Sequence, residues 1–455
     1  MLGRITFLLA SLVLTTAGVA EAQAGLAVPY AMDTLPNGLR VIIHEDHSVP
    51  TVVVNVWYHV GSGSEKLGRT GFAHLFEHLM FMGSANAPYP QFDQLLESAG
   101  ANNNGSTTED RTNYFEEGPA TALPLMLWLE ADRMGWMLPT MDVAKVDLQR
   151  DVVKNERRER VDNQPYGQSS ETLLGMLYPG DHPYSWPVIG SMTDLSAASV
   201  DDVKDFFRTW YAPNNAVIVV AGDVKADDVK QLVRQYFGEI PRGPAIEVPT
   251  ARGFALTHDT LAVLEDRVQL ARLNYVWPTV PLNHPDDAAL DVAAYVLTGA
   301  RNSRITRKLV FEQQVASNAN AAQGSRRLAG DFRIITTARP GIALPVLQKV
   351  VDEELRTLAA DGPTARELEQ AKNSIESSFL GSLERIGGKA DQLNAYYFQT
   401  GDPDGFQTDL DRYRGVTAAD VQRVVQQYLL SPKVILSVVP QGKPELAAAP
   451  TGVTP

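Results

Sequence analysis

Matching runs of apolar residues predict β-strands at equivalent places in the two halves of the chain. Residues 51–57 read Thr-Val-Val-Val-Asn-Val-Trp, and residues 270–277 read Leu-Ala-Arg-Leu-Asn-Tyr-Val-Trp. Alternating or continuous runs rich in β-branched and aromatic residues are typical of strands. Trp57 and Trp277 are 220 positions apart, and a Glu-Asp pair precedes each of them at the same spacing. The pattern therefore suggests that one structural unit occurs twice.

A second match, near the end of each half, supports this duplication. Residues 196–200, Ser-Ala-Ala-Ser-Val, resemble residues 417–421, Thr-Ala-Ala-Asp-Val, which lie 221 positions later. Both are predicted helix starts, and β-rich runs follow them at residues 216–221 and 434–439. We therefore predict an α+β fold of two homologous domains, each a mainly antiparallel sheet packed with helices, arranged as a clamshell.

The domain boundaries are predicted from the places where periodicity is lost. Glycine and proline cluster in residues 238–245, which is typical of a connecting segment. We expect a first domain at 25–240, a linker at 241–255 and a second domain at 256–440. Residues 441–455, rich in alanine and proline, are predicted to form a flexible tail.

The first 24 residues have the features of a secretory signal peptide. Arg4 gives a positive start, residues 5–19 are largely apolar, and residues 22–24, Ala-Gln-Ala, fit a small-x-small cleavage site. A retained membrane anchor is the alternative, but polar residues interrupt the run, which is short for a span of about 20 residues. We expect a periplasmic or secreted protein, cleaved after Ala24, with no stable membrane span.

Composition limits the partners and the chemistry. The chain has 455 residues, a net charge of −14 and no cysteine. Proteins that bind nucleic acid usually present a basic face, whereas the densest cationic stretch here, residues 157–160, is interleaved with acid. We therefore expect no nucleic-acid partner, no disulfide and no cysteine ligand to a metal.

A His-x-x-Glu-His motif lies on a short predicted helix, with Thr70 as its N-cap and Gly83 after its end. His74 and His78 are four residues apart, so one helix face presents both imidazoles to a single metal ion. Glu77 is better placed to reach a water molecule than the metal. Zinc in hydrolytic sites takes three protein ligands and lowers the pKa of a water molecule, whose proton a nearby carboxylate accepts. We predict one Zn²⁺ per chain, with Glu77 as the general base; metal-free core histidines are the alternative.

The third ligand must come from elsewhere, and the remaining histidines are scattered singly. Residues 142–161 are predicted to form a helix with Val152 and Val153 on its apolar stripe. Glu156 follows these valines by four and three positions and continues the stripe inward. Glu159 competes with it but is joined to the stripe less directly. Periodicity therefore favours Glu156 and leaves Glu159 open.

At this point the sequence resembles the pitrilysin/insulinase family of zinc peptidases, which carry the inverted motif and include a two-domain, processing-peptidase-like branch. The resemblance rests on residues 70–78, on residues 150–156 and on the two-half layout. It implies that Glu156 is the third ligand and that the first domain bears the zinc. It also implies that Gln149 stands where many members carry a second glutamate. An amide there can hydrogen-bond a metal ligand.

The segment from Asn104 to Tyr114 resembles the family's edge strand beside the zinc. A substrate peptide adds to such an edge as an extra strand through main-chain hydrogen bonds. The resemblance therefore implies that Asn104 and Gly105 bind substrate. The run Asn-Asn-Asn-Gly taken alone predicts a polar hairpin instead.

The second half has no histidine in residues 290–299, where the motif should recur. In self-sufficient family members this half supplies an Arg and a Tyr to the substrate carbonyl, but here Phe311 and Ser317 take those positions. Phenylalanine offers no hydrogen bond to an oxyanion. We therefore expect a heterodimer in which a related partner subunit supplies the Arg/Tyr pair, or otherwise a homodimer.

These features together predict a zinc metalloendopeptidase that hydrolyses peptides or unfolded polypeptides. Two alternatives come from other classes of protein. One is a non-catalytic assembly subunit of a processing-peptidase-like complex, which metal content would distinguish. The other is a small-molecule lyase with a similar motif, which uses a cysteine ligand that this chain lacks.

Overall fold

The computed structural model describes residues 25–449, and it contains two β-sheets with helices on both faces. The predicted signal peptide lies outside the described residues. The strands of the first sheet are β1 (Ala31–Thr34), β2 (Arg40–Glu45), β3 (Thr51–Tyr58), β4 (Asn102–Thr107), β5 (Thr112–Pro119) and β6 (Ala216–Gly222). Those of the second are β7 (Thr260–Asp266), β8 (Arg272–Thr279), β9 (Ala316–Ser325), β10 (Gly330–Ala338) and β11 (Val434–Pro440).

The two sheets have the same topology. Their strand orders are β1-β2-β6-β3-β5-β4 and β7-β11-β8-β10-β9, so the second repeats the first without β1. In each sheet one pair, β2 with β6 or β7 with β11, is parallel, and the other pairs are antiparallel. The predicted α+β fold of two homologous, mainly antiparallel domains is confirmed.

Helices follow and separate these strands. The α-helices are α1 (Phe72–Leu79), α2 (Gln91–Ser98), α3 (Leu123–Trp136), α4 (Val143–Arg157), α5 (Ser169–Leu177), α6 (Met192–Ala197), α7 (Val200–Trp210), α8 (Ala226–Phe237), α9 (Asp287–Ala294), α10 (Arg304–Thr306), α11 (Leu344–Asp361), α12 (Ala365–Ser382), α13 (Ile386–Thr400), α14 (Phe406–Gly415) and α15 (Ala418–Val424). π-Helical turns continue four of them at Arg158–Asp162, Tyr295–Gly299, Arg307–Glu312 and Val425–Leu429.

The helix starts of the duplicated unit align differently from the sequence match. Thr417 is the N-cap of α15 and forms a capping box with Asp420. In the first domain the equivalent capping box joins Ser199 and Asp202 at the start of α7. The equivalent caps are therefore Ser199 and Thr417, whereas the sequence match pairs Thr417 with Ser196. The sequence match is therefore shifted by three residues. It follows the run Ser/Thr-Ala-Ala, whereas a capping box is defined by the N-cap residue together with the residue three positions after it.

Each domain covers one face of the other domain's sheet. Val53 on β3 belongs to an apolar cluster with Leu393 on α13 of the second domain, while its neighbours Val52 and Val54 pack into the first domain's own core. Reciprocally, α5 of the first domain packs on the second sheet against β11. Successive strand residues point to opposite faces, so these central strands are buried on both sides. The two domains are therefore held together by helices that pack on each other's sheets.

The segments outside the two sheets are also attached to the domains. Residues 241–255, the predicted linker, contain no helix or strand, and Phe254 packs against Tyr178 at a ring distance of 5.2 Å. Residues 441–449, part of the predicted flexible tail, are held instead by hydrogen bonds. The N–H of Ala449 donates to Gln348 Oε1 at 3.0 Å, and Gln348 returns a bond to the Ala449 carbonyl. Composition alone could not reveal these partners. Between residues 25 and 449, no helix has the length and apolar character needed to cross a membrane.

Candidate metal centre

Helix α1 carries the His-x-x-Glu-His motif on the side that faces away from the core. Leu75, Phe76 and Leu79 are buried in the first domain's apolar cluster, whereas the three motif side chains stay partly exposed. A residue on a helix shares its face with residues three and four positions away. The apolar spacing therefore anchors the helix and leaves His74 and His78 side by side, with their ring centroids 4.8 Å apart.

The predicted ends of this helix are wrong in detail. Its N-cap is Gly71, with φ 86°, and its last residue is Leu79. The Thr70 hydroxyl donates to Asp194 at 2.6 Å instead of capping the helix. Gly83, with φ 78°, lies in the turn beyond the helix. A left-handed glycine can start the helix only because its missing side chain avoids a clash with the neighbouring backbone.

Helix α4 brings Glu156 to the motif. Asp142 caps it by accepting a hydrogen bond from the Lys145 N–H at 2.9 Å, and Val153 is fully buried. Val152, which the sequence places on the buried stripe, is 40% exposed. The stripe is therefore narrower than predicted, because the helix packs through one row of side chains only. Glu156 lies at the edge of that row, where it reaches α1.

His74, His78 and Glu156 converge on one point. Glu156 Oε2 lies 3.7 Å from His74 Nε2 and 3.3 Å from His78 Nε2. Ligand atoms bonded to one tetrahedral zinc ion at roughly 2.0–2.2 Å are about 3.3–3.6 Å apart, so the observed spacing is close to that of a zinc site. Within residues 25–449, no other three His, Cys, Asp or Glu side chains converge in this way. Glu159 is exposed and outside the group, which favours Glu156.

The charge states also suit a divalent cation. Burial, reinforced by His78, lowers the pKa of His74 to about 4, so this ring is neutral near pH 7. Contact with the His78 imidazole lowers the pKa of Glu156. Glu156 Oε2 is buried without a hydrogen-bond partner, a costly state unless a cation compensates it. Arg160 pairs with the other oxygen, Oε1, at 2.6 Å. Neutral imidazoles and an ionised carboxylate are the forms that bind zinc.

Glu77 lies outside this ligand group and is held by strand β4. Its Oε2 accepts a hydrogen bond from the Thr107 hydroxyl, and burial raises the pKa of its carboxyl group. Gly105 allows the close approach, because a Cβ at that position would lie 3.2 Å from Glu77 Cγ and 3.3 Å from the Phe81 ring. The structure thus separates one carboxylate that can bind metal, Glu156, from one that can exchange a proton.

Strand β4 is the open edge of the first sheet, beside the metal centre. Gly105 pairs with Tyr114 in register, yet its N–H donates to the side-chain oxygen of Asn104 at 2.8 Å rather than to β5. In an antiparallel pair, residues alternate between bonding the partner strand and facing away from it. The main-chain groups of Gly105 therefore face the open edge. Asn104 and Gly105 belong to a hairpin, as sequence alone predicts, but they lie in its strand β4 and not in its turn.

Gln149 does not contact the predicted ligands. Its side-chain amide donates to the sulfur of Met82 at 2.8 Å. Its position on α4 turns it towards the segment after α1, so in this structure the amide contacts Met82 and not a ligand side chain.

Family models match most of the chain. Residues 40–178 match the model described as Insulinase (Peptidase family M16), and residues 197–375 match that described as Peptidase M16 inactive domain. Together the two matches cover more than half of the sequence. The chain belongs to the pitrilysin/insulinase family. The resemblance drawn from the motif is confirmed.

Curated relatives and solved structures match this chain over most of their own length. The zinc protease PqqE of Helicobacter pylori is 29% identical over 424 residues, covering 92% of this chain and 95% of that protein. A probable mitochondrial-processing peptidase subunit beta of Arabidopsis thaliana is 23% identical and covers 89% and 77%. The crystal structure of a protease from Helicobacter pylori superposes with a TM-score of 0.84 at 28% identity, covering 90% of this chain and 100% of that one.

In the second domain of this M16 chain, other residue types stand at the positions that correspond to the motif. An offset of 221 residues places Tyr295, Thr298 and Gly299 opposite the three motif residues. The Thr298 hydroxyl accepts a hydrogen bond from the Ala321 N–H of β9, much as Glu77 contacts β4. A Cβ on Gly299 would lie 2.3 Å from the Tyr295 ring. The Tyr295 ring thus fills the space beside Gly299, and none of the three residues carries an imidazole or a carboxylate.

Phe311 and Ser317 lie on neighbouring elements of that domain. Phe311 is 40% exposed, and the Arg301 guanidinium lies 4.4 Å from its ring centre. The Ser317 hydroxyl donates to the Thr337 carbonyl at 3.2 Å and is thereby engaged within the sheet.

Sequence reasoning missed two residues that contact α1. Thr107 holds Glu77, and Glu65 accepts hydrogen bonds from the start of α1. Thr107 lies in the predicted edge strand, but nothing in its sequence context links it to Glu77, and Glu65 belongs to no apolar period or recognised motif. One sequence signal points to Glu65. The motif helix begins at a glycine, which has no side chain to cap it, and Glu65 is an acidic residue in the polar loop just before that helix.

Proposed function

We propose that this chain is a zinc-dependent metalloendopeptidase that hydrolyses peptides or unfolded polypeptides after export. The observation that carries the proposal is the convergence of His74, His78 and Glu156, with Glu77 beside them at an open sheet edge. The name of the Helicobacter relative, a zinc protease, supports the same metal and reaction. The signal-peptide features of residues 1–24 support a periplasmic or secreted location.

The proposed roles follow from the contacts. His74, His78 and Glu156 would hold the zinc ion, which when bound polarises a peptide carbonyl and lowers the pKa of water. Glu77 accepts the proton of the attacking water and returns it to the leaving amine. Thr107 donates to Oε2, which leaves Oε1 to take that proton. A carboxyl pKa raised by burial brings this group closer to the operating pH, where proton transfer in both directions is efficient.

Substrate would bind as an additional strand on β4. The Gly105 N–H faces the open edge and now bonds the Asn104 side chain, which an incoming peptide carbonyl can displace. Strand addition recognises the main chain rather than particular side chains. This mode requires an extended substrate, which is why we propose peptides and unfolded polypeptides rather than folded proteins.

A partner subunit would complete the site. Phe311 presents a ring and Ser317 is engaged with Thr337, so neither offers a free donor to a substrate oxyanion. Loss of one such donor can reduce kcat about 10²–10³-fold. We propose a heterodimer whose related second subunit supplies the Arg/Tyr pair. The Arabidopsis relative is itself named as a subunit.

The test uses the full mature chain and an unstructured fluorogenic peptide. Hydrolysis is expected to require zinc, to stop with a chelator and to return when zinc is restored. Activity should rise by about 10²-fold or more when a related subunit carrying the Arg/Tyr pair is added. Full turnover by the chain alone would disprove the heterodimer. Absence of both zinc and hydrolysis, with or without a companion, would instead favour the non-catalytic assembly subunit.

A further inference from the structure

The motif helix begins without a cap of its own. A helix leaves its first N–H groups without acceptors inside the helix, and a side chain at the N-cap usually provides one. Here the N-cap is Gly71, which has no side chain, and the first turn contains no acid. A larger residue cannot replace it, because a Cβ would lie 2.7 Å from the Ile189 carbonyl oxygen.

Glu65, nine residues before His74, supplies the missing acceptor. Its Oε2 accepts the Gly71 N–H at 3.0 Å, and its Oε1 accepts the Ala73 N–H at 2.8 Å. Trp186 adds an indole N–H to Oε2 at 3.1 Å. Burial raises the pKa of Glu65, whereas these donors stabilise its ionised form and oppose that rise. Both oxygens are thus held by donors, and one of these is the N–H of the residue next to His74.

The backbone before Glu65 is joined to the turn after β4. The N–H of Ser62 donates to the Thr108 carbonyl at 3.1 Å, and the N–H of Gly63 donates to the Glu109 carbonyl at 2.8 Å. The preceding residue on that strand, Thr107, holds Glu77. The end of β4 and the turn after it therefore contact α1 in two ways. The turn holds the segment that carries Glu65, which binds the start of α1, and Thr107 holds Glu77 on the face of α1 that points to the metal position. A helix of only two turns attached at both points has little freedom to rotate.

We propose that Glu65 is a positioning residue that sets the orientation of α1, and with it the two imidazoles, relative to Glu156 and β4. This inference rests on the proposed zinc site. Residues that orient metal ligands without touching the metal typically contribute 10–100-fold to metal affinity. Glu65 does so through the helix backbone rather than through a ligand side chain.

The test measures zinc affinity of the full mature chain by competition with a chelator, so it does not depend on peptidase activity. Glu65→Gln keeps the size of the side chain but turns an amide N–H towards one of the backbone N–H groups. We expect its zinc dissociation constant to rise at least about tenfold and the visible spectrum of its cobalt(II) form to change. The matched control is Asp420→Asn, which removes a capping carboxylate from α15 in the second domain.

The control should lower the unfolding temperature but leave zinc affinity and the cobalt spectrum as in the wild type. A folded Glu65→Gln variant with wild-type affinity and spectrum would overturn the inference while leaving the proposed function intact. Failure of the wild type to bind zinc would overturn the proposed function itself. If Glu65→Gln does not fold, Trp186→Phe decides, because it removes one donor to Glu65 and leaves the carboxylate. It should weaken zinc binding measurably, and unchanged binding would overturn the inference.

Discussion

Replacing Glu77 by glutamine is expected to abolish peptide hydrolysis while zinc stays bound. The carboxylate is not among the three groups that converge on the metal position, so its loss should not release the ion. Glutamine has nearly the same size and can keep a contact with Thr107, but it cannot accept a proton at neutral pH. Loss of a general base typically reduces the rate by about 10²–10⁴-fold, and we expect kcat to fall within or beyond this range.

The comparison requires kcat and zinc content on the same preparation. Glu97→Gln, an exposed position on α2, is the control for loss of one negative charge from the first domain and should behave as the wild type. Loss of zinc from the Glu77 variant would make Glu77 a ligand. Wild-type turnover would show that another group takes the proton.

Replacing Glu156 by glutamine has the second large effect, which falls on the metal rather than on proton transfer. Among the three proposed ligands, only Glu156 carries a negative charge. The variant lacks that charge and presents a neutral amide oxygen to the ion instead. Because residues that merely support ligands contribute 10–100-fold to metal affinity, loss of a ligand should weaken zinc binding by more than about 100-fold. Hydrolysis should be lost at zinc concentrations that saturate the wild type.

Glu159→Gln is the matched control, since Glu159 lies one turn further along the same chain segment and is exposed. It should retain zinc. The thermal shift on adding zinc provides a second readout, because a ligand that binds only the folded state stabilises it. The wild type and Glu159→Gln should show this shift, and Glu156→Gln should not. The opposite order would identify Glu159 as the ligand.

The local geometry of the motif could be predicted from sequence because it depends on one helix. The four-residue spacing of His74 and His78 sets their shared face, and the apolar residues between them set the buried side. The precise start of the helix could not be predicted. Thr70 is a good capping residue by type, but Asp194, more than a hundred positions away, engages its hydroxyl.

The third ligand shows how much the apolar periodicity of a helix can predict. The stripe through Val152 and Val153 favours Glu156, yet Val152 is exposed, so half of that support is absent. Family resemblance and the distances to the imidazoles favour the same residue on separate grounds. Which turn of α4 meets α1 is set by packing between distant elements, and a single helix pattern does not encode it.

The duplication was visible in the strands but not in the way the domains join. The two apolar runs locate β3 (Thr51–Tyr58) and β8 (Arg272–Thr279), which lie in sheets of the same order, although β8 begins two residues later than its run. Helix α13 packs on the first sheet and α5 on the second, and the sequence did not predict this. A strand that is buried on both faces appears only as a continuous apolar run, which does not tell what covers it. Glu65 escaped notice for a related reason: its two partners on α1 are backbone N–H groups, which every residue type except proline carries.

Diffraction from crystals of the mature chain grown with zinc, with data collected at the zinc absorption edge, tests the central claim most directly. The anomalous map should show one strong peak at roughly 2.0–2.2 Å from His74 Nε2, His78 Nε2 and a carboxylate oxygen of Glu156. A peak elsewhere, or a Glu156 carboxylate turned away from both imidazoles while zinc is bound, would contradict the account.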